Sequence, residues 1–325
     1  MRNHYLDAGT AREIDALVDR VHRDLGHPQG PIELATVRDL LKLDLQYYST
    51  EDPGLLQEVV HKMRIGAKQV LKRPALLLEA VAKFDLKGLF LPDRKRILLD
   101  AALPDLKKRW NESHEIVHGL IPWHKEYVLG DTKETLSPVC HQQLEAEANY
   151  GAGRLLFPHQ TMSAMISASA PSMAHVKTIA THFTNTITSS LWRYVEYSER
   201  SSFGIVGAHP HHKPVDAAPI EYFIRSRRFA AEFPSITEDI LFGLIRGYCS
   251  YKKTGPLGTG DLILSDVRGD SHTFRAETFG NSYHVLTLAV HVQPTPKVVV
   301  VPHKLGVPSS KSSTASILVQ GKLVG

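Results

Sequence analysis

The five residues His114-Glu115-Ile116-Val117-His118 constrain this chain more than any other stretch. They lie in a run from Leu106 to Ile121 with apolar residues at helical spacing, and Pro122 ends the run. A helix is expected there. Trp110, His114, Val117, His118 and Ile121 share one face of it, so both histidines point toward a core. Buried imidazoles need polar partners. A divalent cation is one such partner, because rings one turn apart can reach the same tetrahedral ion at about 2.0–2.1 Å. Glu115, between them, is then placed to take a proton from metal-bound water. A histidine pair held by other polar groups is the alternative.

A hydrolytic zinc needs three protein donors and an open position. The segment Leu144 to Gly153 (LEAEANYGAG) supplies a third. Glu145 and Asn149 are one turn apart and share a face with Ala148 and Ala152, whose small side chains permit close helix approach. Glu145 is expected to complete the ligand set with His114 and His118. Asn149 is expected to orient a histidine from behind the ligand shell. Glu147 lies about 200° round the helix from Glu145, so both cannot serve one ion. The plainer alternative is an alanine-rich helix with a solvated acidic face.

Composition bounds the rest. The chain has 325 residues, 38 Lys+Arg against 34 Asp+Glu, and a net charge of +4. That length suggests about two domains, and the small charge excess argues against a strongly basic nucleic-acid coat. Two cysteines, Cys140 and Cys249, make no disulfide framework. No signal peptide or membrane-length apolar run is evident, so a cytoplasmic protein without membrane contact is expected. There are 18 histidines, which raises the question of whether they are scattered or placed.

The periodicities divide the chain. Helices are expected at Thr10–Leu25, Ile32–Leu41, Gln57–Leu71, Pro74–Lys83, Cys140–Phe157, Met173–Phe183 and Thr188–Tyr197. Leu43–Tyr48 reads as a strand, and Lys87–Leu91 with Arg96–Leu99 as a hairpin. Residues 207–219 are rich in His and Pro and read as a linker. Strands follow at Ile220–Ile224, Asp261–Ser265, Thr273–Thr278 and Tyr283–Val292, with a helix at Ile236–Gly247. The expectation is an α+β protein. Residues 1–160 would form a mainly helical core with a small sheet, and 161–200 a helical segment. A linker at 201–219 would lead to a smaller α+β unit at 220–300, and 301–325 reads as a flexible tail.

Arg109-Trp110-Asn111-Glu112-Ser113-His114-Glu115-Ile116-Val117-His118, then Glu145 through Pro158 (EAEANYGAGRLLFP), resembles the ImmA/IrrE metallopeptidases. Those proteins carry R-F-x-x-A-H-E-x-x-H followed by E-x-x-A-[ND]-x-F-A-x-x-L-L-x-P. Similarity spans roughly residues 10 to 200 and is densest from 96 to 158. Trp110, Ser113 and Tyr150-Gly151 depart from the pattern, and none of them is a ligand position. The resemblance implies a zincin-like peptidase core over residues 1–160, a helix-turn-helix-like segment at 161–200 and a sensor-like unit at 220–300, and a zinc site of His114, His118 and Glu145 with Glu115 as catalytic base. It also implies a bacterial regulatory protease that cleaves a repressor or antitoxin-like helix-turn-helix regulator in stress or mobile-element control.

Two rivals accompany that reading. One is a non-catalytic sensor with a structural metal site that binds a transcriptional regulator. The other is direct nucleic-acid binding through residues 172–197, weakened by the modest charge there, Lys177 and Arg193 against Glu196. The remaining histidines get plainer roles. His209, His211 and His212 read as solvated linker residues, and His272, His284 and His291 as ordinary strand residues. His124, Tyr127, Tyr150 and Arg154 read as structural or solvated. Gly255 to Gly260 (GPLGTG) reads as a turn between strands.

Overall fold

The computed structural model describes residues 2–48, 88–91, 95–124, 138–212 and 219–294. The helices expected at 57–71 and 74–83, the loop after His124, Tyr127, and the tail beyond 300 lie outside the described residues. The first part of the chain runs α1 (Ala8–Asp24), α2 (Leu34–Leu41), β1 (Asp44–Tyr48), β2 (Gly88–Leu91), β3 (Arg96–Asp100), α3 (Asp105–Leu120) and α4 (Pro138–Leu156). Asp7 caps α1 by accepting from the Gly9 and Thr10 amides. The helix then buries Ile14, Val18 and Val21 at helical spacing.

β3 is the middle strand of a three-stranded sheet, parallel to β1 and antiparallel to β2. Ile97, Leu98 and Leu99 are all buried, as a central strand covered on both faces requires. The expected hairpin strands therefore pair, and among the described residues β2 takes a sheet edge.

Three helices follow: α5 (His159–Ala168), α6 (Met173–His182) and α7 (Ile187–Tyr197). The first was not expected, because Pro158 reads as a stop. It does end α4, but it also stands as the N-cap residue of α5, since proline tolerates a helix start.

The second sheet comprises β4 (Ser202–Gly207), β5 (Ile220–Arg225), β6 (Thr254–Ser265), β7 (Ser271–Asn281) and β8 (Val285–Pro294), in the order β5–β4–β8–β7–β6 and antiparallel throughout. Helices α8 (Arg227–Glu232) and α9 (Glu238–Tyr248) lie between β5 and β6 in the chain. β4 occupies part of the stretch expected as linker. All six of its residues are buried, so it lacks the alternation that marks a half-exposed strand. Alternate residues serve two cores. Val206, with Ile224, Leu286, Leu288 and Val290, joins the core containing Leu191, Tyr194 and Val195 of α7. Phe203 and Ile205 pack on the other face with Phe229, Phe233 and Phe274, under α8 and α9.

Two further expectations change. Residues Gly255 to Gly260 are part of β6, with a bulge between Pro256 and Gly258, rather than a turn between strands. His209, His211 and His212 are hydrogen-bonded to the backbone of residues 249–252, with His212 still exposed. Their Nε2 atoms bond the carbonyls of Lys252, Cys249 and Tyr251 respectively, at 2.8–3.0 Å. His284 pairs with Glu221 at 2.9 Å. His272 joins Asp266 and His291, each at 3.2 Å.

The N-terminal segment binds this second part directly. Arg2 pairs with Glu238 at 2.6 Å. The Tyr5 hydroxyl donates to the Arg225 carbonyl at 2.8 Å.

Candidate metal centre

Helices α3 and α4 approach each other closely because the contact residues are small. Ala148 and Ala152 are fully buried. At Gly151 a Cβ would stand 2.6 Å from Val117 Cγ1, well inside van der Waals contact. This packing brings the two sequence motifs together.

His114 Nε2 and His118 Nε2 are 3.1 Å apart. Glu145 places Oε2 3.2 Å from His114 Nε2 and Oε1 3.6 Å from His118 Nε2. Among the described residues, these three are the only group of histidines, cysteines and carboxylates whose donor atoms converge this way. Two donors at zinc-ligand distance and tetrahedral angle would lie about 3.3 Å apart, so the observed separations suit a single divalent ion. The Glu145 side chain is 41% exposed while the histidines are 12–13% exposed. The donor cluster thus opens toward solvent on the carboxylate side.

The electrostatics point the same way. Burial alone would depress His114, but the hydrogen bond it donates to Glu145 and the charges of Glu115 and Glu145 outweigh it and raise its pKa. Burial alone would raise Glu145, yet its bonds to both histidines hold it well below the usual carboxylate range. Both shifts describe a location that favours positive charge between an anion and two nitrogen lone pairs. The donor set therefore fits a divalent cation. The Asn149 side chain also favours the charged form of His114.

Glu115 faces away from solvent and is 7% exposed. Burial raises its pKa above the ordinary carboxylate value, although the nearby histidines pull in the other direction. The backbone of Phe90 in β2 hydrogen-bonds its carboxylate. Gly88, two residues earlier on the same strand, leaves the space that the carboxylate occupies. A Cβ there would lie 2.8 Å from Glu115 Oε1. Strand β2 and the Glu between the two histidines are thus fitted to each other.

Two residues that sequence reasoning set aside belong to this neighbourhood. His124 Nδ1 lies 2.8 Å from His118 Nδ1, and its Nε2 lies 3.0 Å from Glu147 Oε2. The same Glu147 oxygen accepts from Trp123 Nε1 at 2.7 Å, and the other accepts from Gln143 at 2.9 Å. Glu147 does point away from the three donors, as the helical angle requires. It is nevertheless 2% exposed, so it is not part of a solvated acidic face. Burial and the neighbouring His118 push His124 down to about 4, so its ring is neutral at physiological pH. The available signal was Pro122. α3 stops there, and a helical turn over residues 122–124 folds His124 back against His118.

Other residues near the motifs have structural partners. Arg154 pairs with Asp15 at 2.6 Å, and the Tyr150 hydroxyl donates to the same carboxylate oxygen at 2.9 Å.

No helix among the described residues is long and apolar enough to cross a membrane. No curated protein matches the sequence. A Mycobacterium tuberculosis transcriptional regulator of known structure is similar at 13% identity with a TM-score of 0.46, over 92% of this chain and 94% of that one. A peptidase-family model described as the IrrE N-terminal-like domain matches residues 67–189. That stretch contains β2, β3, α3 and α4, and with them His114, Glu115, His118 and Glu145. Residues 67–189 are therefore similar to the IrrE N-terminal-like peptidase domain.

Proposed function

We propose that this protein is a zinc-dependent endopeptidase whose substrate is a DNA-binding regulator of the helix-turn-helix, repressor or antitoxin type. The observation that carries the chemical part is the convergence of His114, His118 and Glu145 beside a desolvated Glu115. When bound, zinc supplies Lewis acidity that lowers the pKa of a coordinated water and polarises a carbonyl. In this reading His114, His118 and Glu145 are the ligands and Asn149 holds His114 in orientation. Glu115 takes a proton from the attacking water and returns it to the leaving amine. Its raised pKa suits both halves of that exchange. A site with a merely structural metal has no use for a buried carboxylate beside it.

Substrate placement follows from the sheet. Strand addition to either hairpin strand is conceivable from sequence, but β3 is paired on both sides. Among the described residues β2 lies at the edge of the sheet, and it touches Glu115. An extended peptide paired to β2 would run past the base. The regulator as substrate rests on the family resemblance. Direct nucleic-acid binding by α6 and α7 finds less support. Arg193 is buried against Glu196 at 2.7 Å, and the Lys177 ammonium lies 3.3 Å from the centre of the Phe279 ring.

The test combines metal analysis with cleavage of a co-encoded regulator. Wild-type protein should retain about one zinc per chain. Glu115→Gln should keep the metal and lose about 10²–10⁴-fold in cleavage rate. Zinc-free wild-type protein, or full cleavage by Glu115→Gln, overturns the proposal.

A further inference from the structure

We propose that His124 and Glu147 form a buried positioning relay behind His118, which fixes that ring for metal binding and sets the affinity of the site. The inference rests on the metal-site reading above and extends it to residues outside the three donors.

The argument is one of proton placement. For His118 to present Nε2 as a ligand, that atom must carry a lone pair, so its ring proton sits on Nδ1. His118 Nδ1–H then donates across 2.8 Å to His124 Nδ1. His124 must accept there, which puts its own proton on Nε2, 3.0 Å from the Glu147 carboxylate. Each ring has one donor and one acceptor, and each is used in the same direction. The alternative tautomer of His118 would put its proton on Nε2, facing the other donors, and would leave Nδ1 to accept. Glu147 opposes that arrangement. As a carboxylate it only accepts, so it draws a proton onto His124 Nε2 and leaves His124 Nδ1 without one in the neutral ring.

The end of the relay is itself anchored. Trp123 and Gln143 donate to Glu147. Glu147 is 2% exposed and His124 is 1% exposed, so water does not compete for these bonds. Metal-ligating histidines commonly donate to a carboxylate or carbonyl. Here a second imidazole is interposed, because Glu147 starts from the far side of α4 and does not reach His118 itself. These residues touch neither substrate nor reacting atoms, and their role is to position.

The measurement is zinc affinity by chelator competition, accompanied by the visible spectrum of the cobalt-substituted protein and by thermal unfolding of the metal-free protein. His124→Leu fills the space but can neither accept nor donate, and it should weaken zinc binding about 10–100-fold. His124→Gln can accept from His118 and donate to Glu147, and it should restore most of the affinity and the cobalt spectrum. Glu147→Gln, which keeps the shape and removes the charge, should fall between them. A purely structural role predicts that affinity follows unfolding temperature in all three variants, with no advantage for Gln over Leu at position 124, and that result overturns the relay. Wild-type affinity in both His124→Leu and Glu147→Gln overturns it as well. If wild-type protein itself binds no zinc, the metal-site reading fails together with the relay. If it binds and the variants bind equally, only the relay fails.

Discussion

Among the described residues, two regions of this molecule gather three histidines each, and in only one of them do donor atoms converge with a carboxylate. His114, His118 and His124 have successive ring centroids 4.8 and 4.9 Å apart. His209 lies 4.5 Å from His212 and 6.0 Å from His211, so the two clusters are comparably dense. The difference is in what each ring nitrogen faces. In the second cluster every Nε2 meets a backbone carbonyl of residues 249–252. A carbonyl takes the ring proton, and among the described residues no carboxylate converges on the cluster. In the first cluster two Nε2 atoms face each other and Glu145, with no carbonyl between them. Histidine density alone therefore says little about metal. An imidazole becomes a ligand when its lone pair is left without a competing donor and a carboxylate shares the space.

The comparison can be broken most sharply by alanine substitution in each cluster. His114→Ala or Glu145→Ala should abolish zinc retention under dialysis. His211→Ala should leave the zinc content unchanged and cost about 1 kcal/mol of stability through one lost hydrogen bond. Zinc loss on His211→Ala would show that the second cluster also binds metal. A smaller effect is expected at Gly88. Gly88→Ala brings a methyl against Glu115 Oε1, so cleavage should fall about 10-fold or more while zinc affinity holds, since displacement by about 1 Å is costly to catalysis. Equal loss of metal and activity there would mean that the strand supports the ligands and not the base.

The smallest effect concerns pH. Arg2 holds Glu238 down at about 2, against an ordinary value near 4.5. A depressed carboxylate stabilises the fold in full above its unfolded pKa and loses that contribution as pH falls toward the folded value. Glu238→Gln should thus lower the unfolding midpoint at pH 7 by an amount that shrinks between about pH 4.5 and 2. The pair is partly exposed, so the effect at neutral pH is about 1 kcal/mol or less. Denaturant unfolding at several pH values reads it, and a difference independent of pH would rule out the ion pair as its source.

What could be read in advance divides along the same line. The helices carrying His114, His118 and Glu145 were legible because each has a strong 3.6-residue pattern and a proline stop. Their meeting was legible because Ala148 and Ala152 mark a close-packed face. His124 and Glu147 were not, because their value depends on each other across two helices rather than on spacing within one. Gly88 could not be singled out, since a glycine beside a hairpin has no local reason to serve a carboxylate 27 positions later. β4 was missed for a physical reason too. A strand covered on both faces has no alternation, and the His- and Pro-rich residues after it drew the boundary too early. In β6 the glycines that suggested a turn form a bulged strand.

β4 has one more consequence. Its Val206 side joins the core of α7, while its Phe203 and Ile205 side lies under α8 and α9. A strand shared by two interiors leaves no seam along which the chain could be cut into independent halves. A fragment ending near residue 200 would strip the cover from Leu191 and Val195, and each uncovered leucine or valine costs about 1.5–3 kcal/mol. Calorimetry of the whole chain should accordingly record one melting transition rather than two, and limited proteolysis should release no stable piece ending at that point.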